Sequence, residues 1–111
     1  MKASNTMAAA LLALAASTTA QAYTLGGYPN ELVNRDGRAY INLGIEDIQG
    51  SRPACHTNEN WAFVIDTTAN TYLRDLADWA VAESAAVYLV GSNSCVGGVE
   101  TLKAIEVLNM K

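Results

Sequence analysis

Apolar and polar residues along this chain alternate with a period near two, switch once to a helical period, and return to two. Over ELVNRDGRAYINLGIE (31–46), two strand-like runs flank Asn34-Arg35-Asp36-Gly37. Asp-Gly between such runs is the composition of a tight hairpin turn. In the second run Ala39, Ile41, Leu43 and Ile45 alternate with Tyr40, Asn42 and Gly44, which suits a sheet with one buried face. DIQGSRPAC follows as a loop, in which Pro53 pushes Arg52 towards extended backbone. NWAFVIDT (60–67) is aromatic and β-branched and predicts a third strand covered on both faces.

The period then changes. In TANTYLRDLADWAVAES, Leu73, Leu76, Ala77, Ala80 and Val81 form the apolar stripe of one helix packed on a sheet, with Thr67 or Thr68 available as N-cap. AAVYLVGSNSC predicts a fourth strand ending in a polar turn. After a Val-Gly-Gly turn, ETLKAIEVLNM predicts a fifth, with Leu102, Ala104 and Glu106 on the face opposite Thr101, Lys103, Ile105 and Val107. The fold class expected is therefore mainly β with one helix. Five antiparallel strands with a helix between the third and fourth follow the order of the OB-fold, a small Greek-key barrel; an open α+β sheet is the other arrangement this order allows.

The front of the chain has a different character. Met1-Lys2 precedes the apolar run MAAALLALAAS, which closes on Ala20-Gln21-Ala22, a small-x-small ending. This is the pattern of a secretory signal peptide over residues 1–22, its apolar core far short of the ~20 residues that span a bilayer. It leaves a single domain at 23–111, whose opening stretch 23–31 reads as an edge strand or a loose arm. A secreted or periplasmic location follows. Charge narrows the partners: formal net charge is −4, and the leader carries off Lys2, so neither nucleic acid nor an anionic membrane surface is expected, and no membrane insertion after cleavage.

Compartment also fixes the reading of Cys55 and Cys95, the two cysteines of the chain. Two thiols in an oxidising compartment form one disulfide, and with His56 as the single histidine they are too few for a zinc site. The sequence of Pro53-x-Cys55, Trp61-x-Phe63-x-Ile65-Asp66, an Ala-rich amphipathic helix, VYLVGSNSC and VETLKAIEV resembles small secreted proteins of uncertain function from gamma-proteobacteria. In arrangement it is also similar to the B subunits of AB5 toxins of the subtilase-cytotoxin and pertussis-like kind. Over roughly residues 32–109 that resemblance implies a disulfide-bearing OB-fold, pentameric assembly and binding of cell-surface glycans. It lies in order and spacing and assigns no sugar-contacting residue.

The residues themselves offer little catalytic chemistry. A Cys55-His56 nucleophile needs a free, low-pKa thiol, and no G-x-S-x-G elbow accompanies Ser51, Ser92 or Ser94. Glu46, Asp47, Glu59, Asp75, Asp78 and Glu83 lack the alternating spacing of a calcium loop. No catalytic residue, metal or cofactor is assigned. Binding chemistry is the stronger reading: Trp61 beside His56, Asn58, Glu59 and Asn60 can stack on a sugar whose hydroxyls the amides bond. Tyr72 and Trp79 fall together beside the helix's apolar stripe, as a core edge or as a partner surface. The expectation is a non-enzymatic module binding a glycan or protein and self-associating as a homo-oligomer. The alternatives are a small envelope enzyme or inhibitor, gathering His56 with Glu46, Asp47 or Glu59, or a structural extracellular protein.

Overall fold

A computed structural model of the chain describes residues 22–68 and 71–109; the leader read at 1–22 lies, Ala22 apart, outside them. Among the described residues five strands and one helix follow one another along the chain in the expected order: β1 Thr24–Arg35, β2 Arg38–Gln49, β3 Phe63–Asp66, α1 Thr71–Glu83, β4 Ala86–Val96 and β5 Val99–Asn109. Two-residue turns close the hairpins β1–β2 and β4–β5, between Arg35↔Arg38 and Val96↔Val99. Asp36-Gly37 (φ 54° and 76°) and Gly97-Gly98 (φ 59° and 81°) all lie in the left-handed region. That is the type I′ geometry whose twist matches the flanking strands.

The strands close into a ring, in the order β1-β2-β3-β5-β4 and back to β1. Here the expectation of an all-antiparallel sheet is corrected. β3 and β5 run parallel, meeting at Val64↔Thr101. Parity requires it: directions alternate across every antiparallel pair, so a ring with an odd number of strands must contain a parallel neighbour pair. The stretch 24–29 is an integral part of β1, since Thr24–Gly27 pairs with both β2 and β4.

The ring and α1 share one apolar core, with Leu25, Ala39, Ile41, Leu43, Phe63, Ile65, Val87, Leu89 and Leu102 from the sheet. Leu73, Ala77 and Ala80 are the helix's buried residues, and Leu76 and Val81 lie at the margin of the same stripe. The third strand is shorter than the apolar run that predicted it, but Ala62, Phe63, Val64 and Ile65 are all buried, as a strand covered on both faces requires. The fifth strand departs from simple alternation. Val90↔Ala104 is followed by Gly91↔Leu102, which leaves Lys103 as an extra residue. A bulge of this kind shifts the phase of the strand, so Leu102, Ile105 and Val107 all reach the core while Glu106 points to solvent. The N-cap expected of Thr67 or Thr68 falls against residues 69–70, outside the described residues. The Thr67 hydroxyl donates to the Gly37 carbonyl at 2.7 Å, and the Thr68 hydroxyl donates to Asp66 Oδ1 at 2.7 Å, tying the end of β3 to the β1–β2 turn.

Candidate functional site

The connection from β2 to β3, residues 50–62, is held to the β4–β5 hairpin by specific bonds. His56 N donates to the Pro53 carbonyl at 3.0 Å, turning the chain where the proline interrupts it. Cys55 is disulfide-bonded to Cys95 of β4, with Cα atoms 5.9 Å apart. The amides of Thr57 and Asn58 both donate to the Gly98 carbonyl, at 2.8 and 3.0 Å. A side chain at position 98 would bring its Cβ within 2.8 Å of Thr57 Oγ1, so glycine is what lets the two segments meet.

Beneath this connection lies a charged cluster. Glu100 of β5 is 0 % exposed and His56 is 6 % exposed, the two buried polar side chains among the described residues. His56 Nδ1 accepts the Glu100 backbone N–H at 2.9 Å, and Arg52 Nη1 lies 3.1 Å from the same nitrogen. Arg52 Nη1 also donates to the Ala62 carbonyl at 3.1 Å and stands 3.9 Å from Glu100 Oε1. The carboxylate's other oxygen accepts the Asn93 N–H at 2.9 Å. Its niche is cut into β4: a Cβ on Gly91 would fall 2.1 Å from Glu100 Oε2, and residues 92–94 bulge out between Gly91↔Leu102 and Cys95↔Glu100.

These surroundings set the protonation states. Burial, reinforced by the Arg52 charge, holds the His56 pKa below its ordinary value; Glu59 and the carbonyls of Asn58 and Trp61 pull the other way. With Nδ1 serving as acceptor, the neutral ring carries its proton on Nε2. Burial raises the Glu100 pKa, against the opposing effects of the Asn93 N–H and Arg52. A carboxyl and an imidazole are thus both pushed towards neutrality, and the guanidinium is the persistent charge.

Arg52 also faces outward, with 22 % of its side chain exposed. It helps line a cleft of about 200 Å³ together with Tyr23, Asn42, Glu59 and Trp61. Its guanidinium lies over the Tyr23 ring, 4.5 Å from the centroid, an orientation stabilised by the ring's quadrupole. Trp61 is half-buried and rests against Tyr40 with ring centroids 5.6 Å apart. Asn42 of β2 fixes the backbone on both sides of it, donating to the Asn60 carbonyl at 2.9 Å and accepting the Ala62 N–H at 2.8 Å. Asn58 Oδ1 accepts the Asn60 N–H at 2.9 Å, closing the turn that presents Glu59.

The residues singled out from sequence are therefore distributed unevenly. Trp61 and Glu59 line the cleft. Asn58 and Asn60 build the turn at its edge, and His56 is buried below. The helix residues belong elsewhere: Tyr72 is 71 % exposed, whereas Trp79 packs against the core. Glu46 and Asp47, grouped with His56 in the enzyme alternative, line a second concavity of about 310 Å³ with Tyr28, Tyr88 and Leu108. There the Tyr88 hydroxyl donates to Asp47 Oδ2 at 3.1 Å, and that hydrogen bond raises the Tyr88 pKa. Among the described residues no group of three or more His, Cys, Asp or Glu is placed to hold a metal ion. Sequence reasoning missed Arg52, Glu100, Tyr23 and Asn42 as site residues. No protein-family model, curated protein or solved structure matches this chain.

Proposed function

We propose that the protein is a secreted or periplasmic, non-enzymatic binding module on an OB-like barrel, and that the Trp61 cleft takes a sugar residue of a glycan. One observation carries the reading. Trp61, Tyr23, Asn42, Arg52 and Glu59 converge on one concave surface, so an aromatic face, a donor-only group and an acceptor-only group stand together. A sugar ring has an apolar face for the indole and hydroxyls that both donate and accept. The cleft's volume, about 200 Å³, falls below the ~300–1,000 Å³ typical of sites that engulf a small molecule. It suits one ring of a larger glycan held from one side. The second concavity is larger, but its charged lining is acidic throughout (Glu46 and Asp47) and lacks that pairing of donor and acceptor.

Self-association belongs to the same reading. Tyr28, Ile45, Ile48 and Leu108 are each between 44 % and 56 % exposed, large apolar side chains that a second copy could cover. The test is a glycan array with titration of the best ligand, alongside native mass spectrometry. Trp61→Ala is expected to weaken the ligand at least about tenfold, equivalent to ~1.4 kcal/mol, with the fold intact by circular dichroism. An array without a hit, or unchanged affinity in Trp61→Ala, would remove the glycan reading; a strict monomer would remove the assembly.

A further inference from the structure

We infer that Arg52, His56 and the Glu100 backbone form an acid-opened latch, which releases the 51–62 segment from the β4–β5 hairpin when the His56 ring takes up a proton. The geometry is specific. His56 Nδ1 is the acceptor on which the segment and β5 meet, receiving the Glu100 N–H at 2.9 Å and facing Arg52 Nη1 at 3.1 Å. A proton on Nδ1 turns this acceptor into a donor. Both contacts are lost together, and a new cation is placed against the guanidinium. The ring is 6 % exposed, so water cannot relieve that repulsion while the segment stays seated.

The other charges around the ring do not rescue the closed state. On its own segment Glu59 favours the cation and Arg52 opposes it, and the opposing effects prevail. From β5, Glu100 is the nearest candidate counter-ion, but its carboxylate is turned to Asn93 N–H at 2.9 Å and to Arg52 at 3.9 Å. β4 contributes Cys95, which is disulfide-bonded and does not titrate. Nε2 has no hydrogen-bond partner among the described residues, and the Asn58 and Trp61 carbonyls, which favour the cation, are outweighed by burial and Arg52. The disulfide to Cys95 remains, and the segment therefore opens as a tethered flap.

The sign of the pH dependence follows from linkage. His56 is harder to protonate latched than free, so the latch is fully closed above the free-imidazole pKa of about 6.5 and loosens as pH falls through the lowered value. Glu100 acts in the opposite sense. Its raised pKa means that acid favours keeping it buried, so Glu100→Gln removes the opposing effect while its amide oxygen still accepts the Asn93 N–H. The latch stands independently of what the cleft binds; Asn42 holds Trp61 from β2, and only the consequence that acid, by moving Arg52 and Glu59, weakens the ligand rests on the glycan reading.

Hydrogen exchange followed by NMR on the full chain tests the latch without any ligand. Protection factors at the Thr57, Asn58 and Glu100 amides, corrected for intrinsic exchange, are expected to fall as His56 titrates, by up to about tenfold per pH unit in the window between free and latched pKa. The β1 and β2 ladder amides are expected to stay protected. His56→Asn, whose Oδ1 replaces Nδ1 as a non-titrating acceptor, should abolish the fall, and Glu100→Gln should retain it. If His56→Asn does not fold, the coincidence of the fall with the His56 ¹⁵N titration in the wild type and in Glu100→Gln decides. Protection that stays constant, collapses throughout the ladder, fails to track the ring's titration, or falls equally in His56→Asn would overturn the latch.

Discussion

The two long connections of this ring are fastened in opposite ways. Residues 67–85, which link β3 to β4, are seated by α1, whose Leu73, Ala77 and Ala80 enter the shared core and whose Trp79 covers its edge. Residues 50–62, which link β2 to β3, are seated by a disulfide, two amides on one carbonyl, and the Arg52–His56–Glu100 cluster. Apolar burial is non-directional and blind to protons. Charged and hydrogen-bonded contacts are directional and depend on protonation state. The helix is the connection that responds to volume, and the 50–62 segment is the one that responds to solution chemistry. The candidate cleft lies on the second.

Three measurements separate the two kinds of fastening. The largest effect is expected from the disulfide. Cys55 and Cys95 are 40 residues apart, so the chain-entropy estimate for removing the crosslink is roughly 4 kcal/mol. Urea unfolding of Cys55→Ser should show that loss, and a change under about 1 kcal/mol would mean that the crosslink adds little to the polar bonds around it. Next, Leu73→Ala on the helix should cost roughly 2–4 kcal/mol, the range for deleting a buried leucine side chain. The deleted side chain is aliphatic and carries no charge, so the cost should be equal at pH 5 and pH 8. Arg52→Ala should cost less, roughly 2 kcal/mol at pH 8, because its ion pair is long and partly exposed. Here the cost should shrink on acidification. Glu100 has a raised pKa, and once it is protonated no buried charge remains for Arg52 to offset. Equal pH dependence in the Leu73 and Arg52 variants would erase the distinction between the two connections.

The apolar fastening was legible in the sequence and the polar one was not, for a physical reason. Leu73, Ala77 and Ala80 announce their burial by period, and the turn at Asp36-Gly37 announces itself by composition. The cysteine pairing follows from count and compartment. Arg52 carried no such signal, because a basic residue before proline reads as loop whether it faces water or a buried carboxylate. Glu100 lies two residues from Leu102 and so on the same side of β5, but a carboxylate is buried too rarely for alternation alone to place it there. Its burial depends on the space left by Gly91 and on the bulge at 92–94, both supplied by another strand. Alternation places Asn42 on the face opposite Ile41 and Leu43, and its role in holding Trp61 exists only once 60–62 folds back onto β2. The parallel β3–β5 pair was open to deduction: five strands in a closed ring cannot alternate throughout.

That parallel pair also sets the order of assembly. The hairpins β1–β2 and β4–β5 need only two-residue turns to form, and such closures take microseconds. The join between β3 and β5 is a single rung, Val64↔Thr101, between residues separated by the whole of α1 and β4. The Cys55–Cys95 bond shortens that path once it has formed, but the rung must still spend loop-closure entropy before any pairing repays it. Ring closure is therefore expected to be a late event, after the transition state for folding. Val64, 1 % exposed, reports on it: Val64→Ala should speed unfolding and leave the folding rate nearly unchanged, a φ-value below about 0.3. A φ-value near one would place ring closure in the nucleus instead. On this ordering the chain assembles as two hairpins, and it becomes a ring only at the last step.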